Sequence, residues 1–202
     1  MLQATHLNCQ RGERVLFADL SFAVAPGELL QIGGPNGSGK TSLLKLLCGL
    51  SQPAAGEIRW QGAPACGIPF RSQLFYLGHR AAIKEDLNAL ENLNLATALA
   101  AESLTDDAAF EILERIGLAG LEYLPARFLS QGQKRRVALA RLLVSKAPLW
   151  ILDEPLTALD VAAVDLIQAR LAEHLARQGT VVLTTHQTLQ VPKVAMRRID
   201  LN

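Results

Sequence analysis

No stretch of the 202 residues approaches the run of consecutive apolar residues, ~20 in length, that crosses a bilayer as a helix. The chain is therefore expected to be soluble by itself, with any membrane role arriving through a partner. The N-terminus has no basic start followed by an apolar run, so no secretory leader is expected. Cysteine is scarce: Cys9, Cys48 and Cys66 are odd in number and lack metal-ligand spacing, and they read as reduced thiols of a cytosolic protein. Formal net charge is only +1 and no dense basic stripe exists. That argues against nucleic acid as a main partner, because such binding needs clustered Lys and Arg. Internal repeats, low-complexity tracts and linkers are missing as well.

What is present suits one globular domain with a sizeable core, since half the residues are hydrophobic and 19% are charged. Ser21–Val24 and Glu28–Ile32 read as short strands around a Pro26-Gly27 turn. A helix is expected over Lys40–Leu50. From about Lys84 to Val144 the chain is Ala- and Leu-rich and mostly helical, with Leu87, Leu90, Leu93 and Leu95 giving one apolar face. Thr105 can cap a helix that stops near Gly117, and Ser130 can cap the next. After Pro148 comes the apolar strand Leu149–Leu152, then a helix over Val161–Arg177 ending near Gly179, then a strand Thr180–Thr185. Strand–helix alternation at both ends with a helical insert between predicts a parallel α/β core carrying a helical subdomain.

Gly34-Pro35-Asn36-Gly37-Ser38-Gly39-Lys40-Thr41 matches G-x-x-x-x-G-K-[ST] between a strand and a helix. Glycines let backbone N–H groups converge on phosphate oxygens, and the helix N-terminus adds favourable dipole charge. Lys40 is placed to reach the β- and γ-phosphates, and the Thr41 hydroxyl to bind Mg²⁺. The plain alternative is a glycine turn that merely caps a helix. A chance match to this pattern is rare, on the order of 1% in a chain this long, and placement between a strand and a helix makes it rarer.

Asp153 and Glu154 follow four apolar residues, so a buried strand delivers both to its C-terminal end, where open α/β sheets bind ligands. Asp153 is the candidate for holding Mg²⁺, and Glu154 for orienting and polarising an attacking water as general base. His186 follows another apolar strand in the same way. His6 and His174 have no such context and read as surface or packing residues.

Upstream of the carboxylates lie Leu129-Ser130-Gln131-Gly132-Gln133 and Lys134-Arg135-Arg136. Ser130 at a helix N-terminus forms a second anion site. Together with the phosphate loop and Asp153-Glu154, this block resembles the signature and metal-site segments of ABC-type ATPases, over nearly the whole chain. The resemblance implies a P-loop NTPase core of ABC type: a parallel sheet plus an antiparallel β subdomain over about 1–82 and 146–202, with a helical subdomain inserted over about 83–145. It implies that His186 contacts the γ-phosphate and the catalytic water, acting with Glu154 and Lys40. It also implies a head-to-tail dimer sandwiching two ATP, in which Ser130, Gln131, Gly132, Gln133 and Asp160 reach the nucleotide of the other copy. A capped helix with a basic face at 134–136 is the bland alternative.

Three positions depart from the family pattern. Gln131 replaces a glycine of L-S-G-G-Q. His79, in Tyr76-Leu77-Gly78-His79, stands where the family has a Mg²⁺- and water-contacting glutamine, and imidazole is not a hard amide oxygen. The aromatic that often stacks on adenine aligns near Gln10-Arg11, which makes Arg11 the candidate for a cation–π-like contact with the base.

Within the family, Leu74–His79, Leu87–Leu93, the glutamine-bearing signature and Ala147–Glu154 are similar to the ATP-binding subunits of bacterial haem exporters in c-type cytochrome maturation. That similarity implies a peripheral protein on the cytoplasmic face of the inner membrane. Its partners would be membrane subunits of the CcmB, CcmC and CcmD type, with ATP hydrolysis linked to haem delivery or to release of the haem-loaded chaperone CcmE. No C-x-x-C-H or Cys-Pro pair is present, so haem is expected to contact the partners. The rival readings are the ATPase of another small exporter, a soluble ABC ATPase acting on DNA or ribosomes, and a nucleotide-gated regulator. The long coiled coil or second domain of the soluble type is missing, and both Glu154 and His186 argue against a regulator without turnover.

Overall fold

Apolar residues alternate with polar ones from the first strand onward. β1 (Leu2–Arg11) buries Leu2, Ala4, Leu7 and Cys9 on one face. The step from Ala4 to Leu7 breaks the period of two because a bulge intervenes, with His6 in the left-handed region at φ 51. The exposed His6 ring meets Asp19 there, with Nδ1 2.5 Å from Oδ1, as expected of a surface residue.

In the computed structural model, residues 1–191 and 194–202 are described. Contacts divide the chain into two units: residues 1–76, 147–155 and 171–202, and residues 77–146 and 156–170.

The first unit holds two sheets. β2 (Arg14–Val24), β1, β4 (Ala55–Trp60) and β5 (Ala63–Pro64) form an antiparallel sheet in the order β2-β1-β4-β5. β3 (Glu28–Gly33), β6 (Leu74–Leu77), β7 (Leu149–Asp153), β8 (Thr180–Thr184) and β9 (Ala195–Asp200) form a second sheet in the order β6-β7-β8-β3-β9, parallel from β7 to β9. Every residue of β7 and β8 is buried, which is why Leu149–Leu152 and Val181–Leu183 read as apolar runs. Leu30, Ile32, Leu43, Leu47, Ile151 and Val182 are central members of one core that spans both sheets and the helix α1 (Lys40–Leu47). A short α2 (Gly67–Arg71) precedes β6.

The second unit is helical: α3 (Ala89–Leu99), α4 (Asp106–Arg115), α5 (Gln131–Val144) and the N-terminal part of α6 (Val161–Ala176). Parallel sheet, antiparallel sheet and helical unit make up the expected ABC-type P-loop architecture.

Several element ends differ from expectation for local reasons. α1 stops at Leu47 because Gly49, at φ 66, and Leu50 turn their amides back onto Leu46 and Lys45, closing a Schellman motif. Asn88 and Glu91 form a capping box that starts α3 at Ala89, two residues after Leu87. Leu87 thus lies outside the helix and Leu95 is partly exposed, so only Leu90 and Leu93 of the four leucines are buried on it. Thr105 caps α4, whose end at Gly117 is as expected. At the end of α6 the left-handed residue is Gln178, at φ 64, not Gly179. Gly179 is instead required because the His174 ring occupies the space a Cβ would need. That ring is buried and stacked on Trp150, with centroids 3.7 Å apart.

Candidate nucleotide site

β3 ends at Gly33 and the chain turns through residues 34–39 before α1 begins at Lys40. Gly39 is the N-cap of α1 at φ 100, and a Cβ there would lie 3.1 Å from Leu16 and 3.3 Å from the Phe17 ring. Glycine is therefore demanded twice, by conformation and by space. The Lys40 ammonium folds back on the loop, donating to the carbonyls of Gly34 at 2.8 Å and Pro35 at 3.0 Å. Ser38 is 5% exposed and its Oγ has no hydrogen-bond partner, a polar atom inside the loop suited to a phosphate oxygen.

β7 delivers Asp153 to the same end of the sheet, 3% exposed. One carboxylate oxygen accepts from the Thr41 hydroxyl at 2.9 Å and the other from the Thr184 hydroxyl at 2.7 Å. The effect of this region on its neighbours is marked. Burial, and secondarily Asp153, push the Cys48 thiol well above its ordinary value. Burial, with Cys48 and Asp153 adding to it, pushes the Tyr76 phenol up to about 12.

Glu154 adopts φ 51, a left-handed conformation that costs a non-glycine residue about 1–2 kcal/mol. Its amide is held by Thr184, donating to the hydroxyl at 3.0 Å and the carbonyl at 3.2 Å. His186, just beyond β8, brings Nε2 to 3.4 Å from Glu154 Oε1. A depression lined by Gly33, Gly34, Lys40, Thr185 and His186 joins the phosphate loop to this histidine. Lys40, Thr41, Asp153, Glu154 and His186 are thus gathered at the C-terminal edge of one sheet.

The second unit carries the remaining candidates. Ser130 is the N-cap of α5, its hydroxyl accepting from the Gln133 amide at 3.2 Å while Gln133 Oε1 accepts from the Ser130 amide at 2.8 Å. Ser130 and Gln131 are exposed, and Gly132 follows in the first turn. Asp160 caps α6 through the Ala163 amide at 2.9 Å and pairs with Arg136 at 2.7 Å. These two contacts, the amide first, hold its carboxyl below the usual range. His79 is exposed in the loop after β6, and its carbonyl accepts from Arg135. In the first unit, Arg11 is exposed at the tip of the β1–β2 hairpin, paired in register with Arg14.

Two residues escaped the sequence reading. Thr184 bridges Asp153 and Glu154, and its signal was a hydroxyl closing the apolar run of β8. Phe17 packs against the phosphate loop at Gly39, but an aromatic in an alternating strand gives no hint of that neighbour.

A phosphate loop, a Thr-bound buried aspartate and a following glutamate on this sheet, with a helical unit bearing a capped signature loop, define an ATP-binding cassette. The ABC transporter family matches residues 17–157. Solved structures agree in fold: one described as the ATP-binding subunit of an ABC transporter superposes with TM-score 0.86 at 26% identity, over 100% of this chain and 85% of its own. The ATP-binding cassette MJ0796, a dimeric post-hydrolysis state bound to ADP and Pi, superposes with TM-score 0.83 at 24% identity, over 100% of this chain and 94% of its own.

Curated relatives narrow the branch. The cytochrome c biogenesis ATP-binding export protein CcmA of Nitrosomonas europaea is 57% identical over 100% of this chain and 96% of its own length. That of Dechloromonas aromatica is 56% identical over 100% of both, and that of Escherichia coli K12 is 49% identical over 100% of this chain and 96% of its own. The chain belongs to the CcmA family of ABC-type ATPases.

Proposed function

We propose that this chain is the ATP-hydrolysing subunit of an ABC complex that serves c-type cytochrome maturation, coupling ATP turnover to haem delivery or to release of a haem-loaded chaperone. End-to-end identity of up to 57% with CcmA proteins carries the choice of branch. The Thr41–Asp153 contact at 2.9 Å carries the choice of chemistry.

In this reading residues 34–41 cradle the phosphates. Lys40 exchanges its two loop carbonyls for the β- and γ-phosphates, and Ser38 Oγ gains a partner. Thr41 and Asp153 are the residues that would hold Mg²⁺. Their oxygens suit a hard cation that keeps few protein ligands, and the ion would supply charge neutralisation between the phosphates. His79 is the weaker candidate for that ion, because its ring nitrogen is a softer donor. Glu154 accepts a proton from the attacking water as its oxygen bonds to the γ-phosphorus, and ADP leaves with its electron pair. His186 orients Glu154 and the water. For the base, Arg11 offers a cationic plane, while Phe17 offers a ring already beside the loop.

Ser130, Gln131, Gly132, Gln133 and Asp160 serve the nucleotide of a second copy in an ATP sandwich. Among the described residues no helix is long and apolar enough to cross a membrane. Attachment to the cytoplasmic face of the inner membrane therefore runs through membrane subunits of CcmB, CcmC and CcmD type, with CcmE as the indirect beneficiary. Purification from detergent-solubilised membranes tests this reading: the account expects such subunits and ATP-dependent haem transfer to CcmE. Recovery of a different exporter, with no haem absorbance in the complex, would contradict it.

A further inference from the structure

Lys134, Arg135 and Arg136 begin the helix behind the signature loop, and the bland reading of the sequence is a capped helix with a basic face. The structure engages all three. Lys134 and Arg135 are 9% and 8% exposed. Successive residues of a helix point about 100° apart, so the three cations reach different partners. Lys134 Nζ donates to Glu85 Oε1 at 2.8 Å, Arg135 to the Gly78 carbonyl at 2.9 Å, and Arg136 to the Ile116 carbonyl at 2.8 Å and to Asp160.

The segment around Glu85 is pinned from behind. Asn92, 7% exposed on α3, accepts from the Lys84 amide at 2.7 Å and donates to the carbonyls of Lys84, Leu87 and Asn88 at 2.9, 3.1 and 2.9 Å. The same segment holds the chain that leads into the signature. The Arg127 amide donates to the Glu85 carbonyl at 2.9 Å, the Ala126 amide to the Leu87 carbonyl at 2.9 Å, and the Arg127 side chain to Asp86 at 3.1 Å.

Glu85 consequently touches both ends of the loop Leu129–Gln133. Its carbonyl binds Arg127, just before the loop. Its carboxylate binds Lys134, just after the loop, whose own amide donates to the Ser130 carbonyl at 2.8 Å. The pair with Lys134 is not an ordinary surface ion pair. The Lys134 side chain is 11% exposed against 65% for Glu85, so its ammonium relies on that carboxylate in place of water. The bond from Lys134 in turn holds the Glu85 carboxyl below the usual carboxylate range.

We infer that Glu85 is a positioning residue for the signature loop, gripping it on both sides and thereby setting the aim of Ser130 and the α5 N-terminus at the nucleotide of a second copy. This rests on the proposed role of the signature loop across the dimer. Glu85→Gln keeps the carbonyl and the side-chain size and removes the charge; Glu85→Ala removes the side-chain grip altogether. The change is confined to the Glu85 side chain, 65% exposed, but it leaves the Lys134 ammonium without its carboxylate, so a lower thermal midpoint accompanies both variants.

The test uses the full chain with Glu154→Gln as background, so that dimers accumulate. Three quantities are read: affinity of single chains for ATP, the ATP concentration giving half-maximal dimer, and the thermal midpoint. Glu85→Gln and Glu85→Ala are expected to raise the ATP needed for dimer on the order of ten-fold, the worth of one charge-assisted hydrogen bond, with the affinity of single chains for ATP unchanged and the thermal midpoint lowered by the loss of the pair. Dimer formation at the background ATP concentration overturns the inference. So does an equal rise for Leu113→Ala, a core variant of α4 that lowers the thermal midpoint without touching the loop, since that is the mark of a merely structural effect. Ser130→Arg in the same background separates the two levels. If it dimerises normally, the signature role itself fails; if it is blocked while both Glu85 variants dimerise normally, only the positioning role fails.

Discussion

The Thr184 hydroxyl donates to Asp153 Oδ1 at 2.7 Å and, through the same oxygen, accepts the Glu154 amide at 3.0 Å. One side chain therefore fixes the aim of the proposed metal-holding carboxylate and the left-handed backbone of the proposed general base. The strand pairing explains how: Asp153 and Thr184 are register partners at the ends of β7 and β8.

Thr184→Val keeps the shape and removes both bonds. It is expected to lower stability by about 1–3 kcal/mol, because a buried carboxylate loses a donor. Turnover should fall on the order of ten-fold or more, since Asp153 and Glu154 are both released from their geometry. Thr184→Ser, which keeps the hydroxyl, should lie close to the parent in each. Urea unfolding and steady-state ATP hydrolysis measure the two effects.

Gly39→Ala places a Cβ 3.1 Å from Leu16 in a backbone at φ 100. A loss of about 1–2 kcal/mol in stability is expected from the conformation alone. Nucleotide affinity should weaken as well, because relief of the crowding shifts the loop proposed to cradle the phosphates. Equilibrium binding of a fluorescent ATP analogue checks the second part.

Asp160 gives a pH dependence with a definite sign. The Ala163 amide, then Arg136, lower its folded-state pKa. Its contribution to stability is therefore present above the unfolded carboxylate value, about 4, and is lost as pH falls through the lower folded value. Asp160→Asn should melt below the parent at neutral pH, and the two melting curves should converge in acid. A difference that persists unchanged to low pH would remove the ion pair from the account.

Legibility differed sharply between contacts close in the chain and contacts far apart. The phosphate loop, the Ser130 cap and the Asp153-Glu154 step could be read because each is a local pattern with a required backbone. β7 and β8 could be read because strands buried on both faces carry apolar runs, here Leu149–Leu152 and Val181–Leu183. β1, β4 and β9 were passed over: β1 is broken by the bulge at His6, and β4 and β9 are mostly exposed, so neither shows an apolar run. The bridging of Thr184 and the grip of Glu85 on Lys134, 49 residues away, depend on pairings that no local pattern records. The partners of the basic triplet 134–136 were unreadable for the same reason, since they lie far from it in the chain.

The claim on which the rest depends is that Glu154 takes the proton of the attacking water. Steady-state ATP hydrolysis by the purified complex carrying Glu154→Gln tests it most directly, with ATP binding and dimer content measured on the same sample. The account predicts turnover reduced by about 10²-fold or more, ATP binding retained, and a dimer that persists in ATP. Hydrolysis at the parent rate would contradict it.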